Sequence, residues 1–140
     1  MSGERFTLDT NLLVYAVDAD AGEHHDMARE LVDQAVEMDC VLTLQVLGEF
    51  FHAVTRKGRM PVSDAADQVH DWQTLFPVVS SRSEDLDRAI TAVLRHGLPF
   101  RDAMLRSTAK AAGVTVLLTE DLQHDRVLEG VRFRNPFVLP

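Results

Sequence analysis

The chain has 140 residues, 46% of them hydrophobic and 26% charged, with a formal net charge of −8. That length and mix describe one globular domain over residues 1–140 rather than a disordered chain. They argue against a protein that holds nucleic acid through a broad basic groove, but not against a nuclease whose carboxylates bind a cation and so reverse the local field.

No basic N-terminal region runs into a sustained apolar stretch, and no span is long enough to cross a bilayer. The expectation is a soluble, cytoplasmic protein without a membrane partner. Cys40, the only cysteine, lies in the apolar run CVLTL and reads as a small buried residue.

In chain order, residues 5–8 read as a short buried strand. Asp9-Thr10-Asn11 opens the following turn or helix, with Thr10 and Asn11 suited to bond free backbone NH groups. Leu12, Leu13, Tyr15 and Ala16 continue as a packed helical turn. A helix is expected over 24–38, with Met27, Leu31, Ala35 and Met38 on one face. A strand at 40–44 and a helix at 45–57 follow, and Gly58 and Pro61 break the chain.

Val69, Trp72 and Phe76 give the core-facing spacing of a helix from Val62 to about Leu75. Residues 77–80 form a weak strand candidate. Ser81 and Glu84 have capping-box spacing before a helix ending near Gly97. A helix over Phe100 to Ala112, a stop at Gly113, a strand at Val114–Leu118 and a final edge strand before Pro136 complete the pattern. Short apolar strands alternating with helices predict an α/β fold with a largely parallel sheet.

Such a sheet gathers functional groups at its C-terminal strand ends. Asp9 and Asp121 follow two apolar runs, while Glu49 and Asp102 lie on helix-like stretches. Four carboxylates in one cleft repel unless a cation neutralises them, and oxygen ligands suit Mg²⁺ or Mn²⁺. Three of the acids also have a plainer role open to them: a helix start for Asp9 and Asp102 and a solvent-facing position for Glu49, while Asp121 follows a strand end at which an exposed acid is easily oriented. Asp102 sits in a first helical turn, where free NH groups and the helix dipole favour its charge. Asn11 is suited to orient water or phosphate, and Thr119 to support Asp121. Glu120 remains a possible ligand, Asp125 a weaker one, and His52 reads as a surface residue.

The segments FTLDTNLLVYA, LQVLGEFFHAVTRKG, PFRDAMLRSTAKAAG and VLLTEDLQ, taken in order, resemble the PIN-domain family of metal-dependent ribonucleases. The likeness is greatest to the toxin of VapBC toxin–antitoxin modules. The resemblance implies a three-layer α/β/α sandwich around a mostly parallel sheet. It places the family's acids on Asp9, Glu49, Asp102 and Asp121, with supporting roles for Asn11 and Thr119. In that reading Asp9 and Asp102 bind Mg²⁺ or Mn²⁺, and Glu49 and Asp121 do so directly or through water. Arg56, Lys57, Arg59 and Arg101 are candidate contacts to RNA phosphates.

Arg101 departs from a pattern that often puts an apolar or aromatic residue before this aspartate, which bears on substrate contacts. The resemblance also implies endonucleolytic cleavage of RNA, a homodimer and a VapB-like antitoxin through which alone the toxin meets DNA. Carboxylate chemistry leaves a metal-dependent phosphatase or DNA nuclease open, as well as a non-enzymatic interaction module on the same fold. Asp18 and Asp20 form a loose D-x-D pair without the further features of a phosphatase.

Overall fold

The structure is a computed structural model and describes residues 3–56 and 58–138. Strand β1 (Phe6–Leu8) runs parallel to β4 (Val116–Leu118), and β4 runs parallel to β6 (Val131–Arg134). Strand β5 (Val127–Leu128) closes this edge antiparallel to β6. On the other side, β2 (Leu42–Thr43) and β3 (Val78–Val79) form a parallel pair. A Phe6–Cys40 bridge lays that pair beside β1, reinforced by Val41 N donating to Phe6 O at 3.0 Å. The order across the whole is therefore β3-β2-β1-β4-β6-β5.

Every residue of β4 is buried, as expected of a central parallel strand covered on both faces. The covering helices are α1 (Thr10–Val17), α2 (Glu23–Ala35), α3 (Leu44–Arg56), α4 (Val62–Leu75), α5 (Ser83–His96) and α6 (Phe100–Ala111). Helix α1 packs on α2 and α3, α3 packs on α4, and α5 and α6 pack on each other. The result is an α/β/α sandwich. Leu8, Leu12, Val46, Phe50, Leu105, Leu117 and Phe133 are fully or almost fully buried between the layers. Each such side chain contributes roughly 1.5–3 kcal/mol relative to exposure.

Four local expectations are corrected. The buried face of α2 is Ala28, Val32 and Ala35, while Met27 and Met38 are exposed; small residues at this face let α2 lie close against α1. The α1 start is capped by Asp9, whose side chain accepts from Thr10 N at 2.7 Å, rather than by Thr10 or Asn11. At α5 the expected Ser81–Glu84 box is displaced by one residue, with Arg82 N donating to Asp85 Oδ2 at 2.8 Å. Ser81 is diverted because its hydroxyl pairs with Thr108 Oγ1 at 2.7 Å.

The fourth correction concerns the tail: β6 lies inside the sheet, and β5 takes the edge. The β5–β6 connection is a tight hairpin in which Glu129 and Gly130 both have positive φ, 50° and 86°. Paired positive φ values twist a two-residue turn in the sense that adjacent strands need.

Candidate active site

The parallel register Leu8↔Leu118 carries β1 and β4 to the same level, so the residues just beyond them meet. Asp9 N donates to Leu118 O at 2.9 Å, extending the ladder by one bond. Asp9 is 1% exposed, and its Oδ2 accepts from Thr119 Oγ1 at 2.7 Å. Thr119 Oγ1 in turn accepts from Asp121 N at 3.1 Å. One buried hydroxyl thus orients both strand-end aspartates.

Helix α6 delivers Asp102 from its first turn to the same place. Asp9, Asp102 and Asp121 each present a carboxylate oxygen, and these atoms all lie within 4.8 Å of one another. Adjacent ligands around an octahedral ion with bonds near 2.1 Å stand roughly 3 Å apart and opposite ones about 4 Å. Hard oxygen donors within that spread, with no sulfur or imidazole among them, fit a magnesium-like cation better than zinc.

Burial, followed by the neighbouring charges of Asp9 and Glu49, raises the Asp102 pKa above the usual carboxylate range despite the opposing Arg101. Burial thus opposes the charge that the helix start favours. Asp121 is raised as well, first by burial and then by Asp9, Asp102 and Glu120. A cation among them would relieve both effects.

Glu49 reaches the cleft from α3, whose Val46, Phe50 and Val54 face the core. Its Oε1 accepts from Thr10 Oγ1 at 2.7 Å, and both of its oxygens bind Arg101. Glu49 is not one of the three acids whose oxygens converge. Asn11 Nδ2 donates to Asp121 Oδ2 at 3.3 Å, so it steadies an acid rather than capping its helix. The cleft encloses about 960 Å³ and is also lined by Gln45, His52 and Arg56.

The basic residues separate. Arg56 faces the cleft, whereas Arg59 lines a distinct depression and leans on Asp18 at 4.0 Å. Lys57 lies outside the described residues. Arg101 is drawn among the acids: its Nη2 donates to Asp9 Oδ1 at 2.6 Å and its Nη1 to Asp102 Oδ1 at 2.7 Å. Burial opposes its charge, but its hydrogen bonds to Glu49 and Asp9, with their charges, outweigh this and push its pKa further up.

Thr10 and Tyr15 are site residues that sequence reasoning passed over. Thr10 looked like a helix-start residue, and its partner Glu49 lies 39 positions away. Tyr15 donates to Glu120 Oε1 at 2.5 Å, which ties up the acid next to Asp121. The turn residues Asp18 and Asp125 stay apart from the cleft. Asp18 accepts from Asp20 N at 3.1 Å, and Asp125 pairs with Arg132.

Residues 6–129 match a family described as the PIN domain. Among solved structures, the Mycobacterium tuberculosis VapC20 toxin, which cleaves the sarcin–ricin loop, is 18% identical with a TM-score of 0.66, covering 83% of this chain and 91% of its own. VapBC2 from Rickettsia felis, bound to a promoter DNA fragment, is 17% identical with a TM-score of 0.68, covering 93% and 97%. DNA-bound VapBC from Salmonella typhimurium is 16% identical with a TM-score of 0.68, covering 95% and 98%. At these identities the likeness concerns the fold. No curated protein matches the sequence.

Proposed function

The chain belongs to the PIN-domain family, and from that membership and its acidic cleft we propose that it is a divalent-metal-dependent endoribonuclease, the toxin of a toxin–antitoxin pair. The observation that carries this reading is the convergence of Asp9, Asp102 and Asp121 at the C-terminal ends of β1 and β4 and the start of α6. Mg²⁺ or Mn²⁺ bound there supplies an activated water and charge neutralisation for in-line attack on a phosphodiester.

In this reading the three aspartates hold the cation, with Glu49 acting beside them or through water. Thr119 keeps Asp9 in place from β4, and Asn11 does the same for Asp121 from α1. Arg56, which lines the cleft, and Arg101 are the contacts we assign to RNA phosphates. We read residues 1–140 as one domain that works in the cytoplasm; among the described residues, no helix is long and apolar enough to cross a membrane.

Relatives solved as toxin–antitoxin complexes, two of them bound to DNA, support a VapB-like antitoxin as partner; we read DNA as reached only through that partner. A groove lined by Leu44, Leu47, Phe51 and Val69 between α3 and α4 offers such a partner an apolar seat. Exposed Leu86, Ile90 and Leu94 on one face of α5 support a homodimer.

The test is cleavage of a matched RNA and DNA panel by antitoxin-free protein with Mg²⁺, Mn²⁺ or EDTA, comparing wild type with Asp9→Asn and Asp102→Asn. Metal-dependent RNA cleavage lost in both variants is the expected result. Cleavage of DNA alone would move the assignment to a DNA nuclease, and release of phosphate from monoesters would move it to a phosphatase. Metal binding by neither wild type nor variants would leave an interaction module on this fold.

A further inference from the structure

Arg101 divides one guanidinium among most of the acidic cleft. Its Nε donates to both oxygens of Glu49, at 3.1 and 2.9 Å. Nη2 donates to Asp9 Oδ1 at 2.6 Å, Glu49 Oε1 at 2.7 Å and Thr10 Oγ1 at 2.7 Å, while Nη1 donates to Asp102 Oδ1 at 2.7 Å. Asp121 alone of the four acids receives no hydrogen bond from it. The planar fork of donors explains why an arginine can do this, since a lysine offers its charge at a single nitrogen.

These bonds engage carboxylates on which a hard cation would draw. Asp9 and Asp102 are two of the three acids whose oxygens converge, and each is engaged by a different guanidinium nitrogen. A divalent ion held by the same two carboxylates would sit beside a fixed positive charge and would compete with it for the two side chains. Like charges this close, in a cleft where the Arg101 side chain is only 34% exposed, are weakly screened by solvent.

We propose that Arg101 is a built-in restraint on the metal site: it balances Asp9, Glu49 and Asp102 in the metal-free protein, and its guanidinium must release Asp9 and Asp102 before a divalent cation loads. The inference rests on the metal-dependent reading of the cleft. It makes cation affinity a property set by Arg101 as well as by the ligands. It also makes the metal-free fold less dependent on a bound ion than an unbalanced set of acids would be.

The experiment is calorimetric titration of Mn²⁺ into the full chain, free of antitoxin, for wild type, Arg101→Gln and Arg101→Lys, with thermal unfolding of each in EDTA and in Mn²⁺. The expected result is at least about tenfold tighter Mn²⁺ binding by Arg101→Gln, the equivalent of about 1.4 kcal/mol. Arg101→Gln should also have a lower Tm in EDTA and a larger Mn²⁺-induced rise than wild type. Arg101→Lys keeps a positive charge beside the acids, and with it the metal-free fold, but loses the fork, so it should bind at an intermediate affinity.

Equal or weaker binding by both variants, with wild type still binding, overturns the restraint and leaves the metal site standing. Absence of Mn²⁺ binding in wild type and both variants removes the metal site itself, and the restraint falls with it.

Discussion

Thr119 Oγ1 donates to Asp9 Oδ2 at 2.7 Å, joining the residue that follows β4 to the residue that follows β1. Both side chains are almost completely buried, so no water stands ready to replace the hydroxyl. Thr119→Val keeps the shape and removes the donor. Groups that orient metal ligands typically affect affinity about 10–100-fold, and that is the expected weakening of Mn²⁺ binding. Leaving the buried carboxylate oxygen unpaired should also cost about 1–3 kcal/mol of stability. Calorimetry and urea unfolding measure the two effects; wild-type values in both would show that Asp9 needs no partner from β4.

Tyr15, the only tyrosine, donates to Glu120, and this bond, followed by burial and the charges of Glu120 and Asp121, pushes its pKa from 10.0 to about 12. The folded protein therefore holds this proton more tightly than the unfolded chain does. The resulting stability is fully present below pH 10.0 and is lost as pH rises towards about 12. Ultraviolet titration of tyrosinate should give a late transition in wild type and an earlier one in Glu120→Gln, which removes the carboxylate charge. Coincident curves for the two proteins would contradict the assignment.

Cys40 is 3% exposed, and burial, then the nearby Asp39, pushes its thiol to about 12. The reactive thiolate is therefore almost absent from the native protein at neutral or mildly alkaline pH. An aromatic disulfide reagent at about pH 8 should label the single cysteine only after denaturant is added. Rapid labelling of folded protein would mean that the segment bridging Phe6 opens far more readily than its hydrogen bonds imply.

Phe50 is fully buried and meets Trp72 edge-on, with ring centroids 4.7 Å apart, which joins α3 to α4. Phe50→Ala should destabilise the fold by about 3–5 kcal/mol. The sole tryptophan makes its own fluorescence the probe during denaturant unfolding. A loss below about 1 kcal/mol would place the core elsewhere, since cavities of this kind rarely collapse completely.

The places of Asp9 and Thr119 were readable before the structure because each follows an apolar run directly, with Asp121 two residues further on, and the end of a parallel strand has a fixed destination in an open sheet. Strand β5 was passed over because two residues carry no usable periodicity. The α2 face was misplaced because large Met27 and Met38 outweighed small Ala28 and Ala35 in the pattern, whereas close helix packing selects the small residues. Thr10 was assigned to its own helix, although its hydroxyl bonds to Glu49 on α3.

Sequence alone determined the alternation of strands and helices, through local periodicity, the family, through the likeness of its motif segments, and the meeting of Asp9 and Asp121, through their places near strand ends. Tertiary structure decided where the longer side chains go. Arg101 follows Phe100 and precedes Asp102 on α6, and nothing within that turn distinguishes an arginine aimed at solvent from one drawn inward. Its direction is set by Asp9 and Glu49, 92 and 52 positions away along the chain. Only folding brings those charges close enough for their attraction to outweigh the hydration that the guanidinium loses.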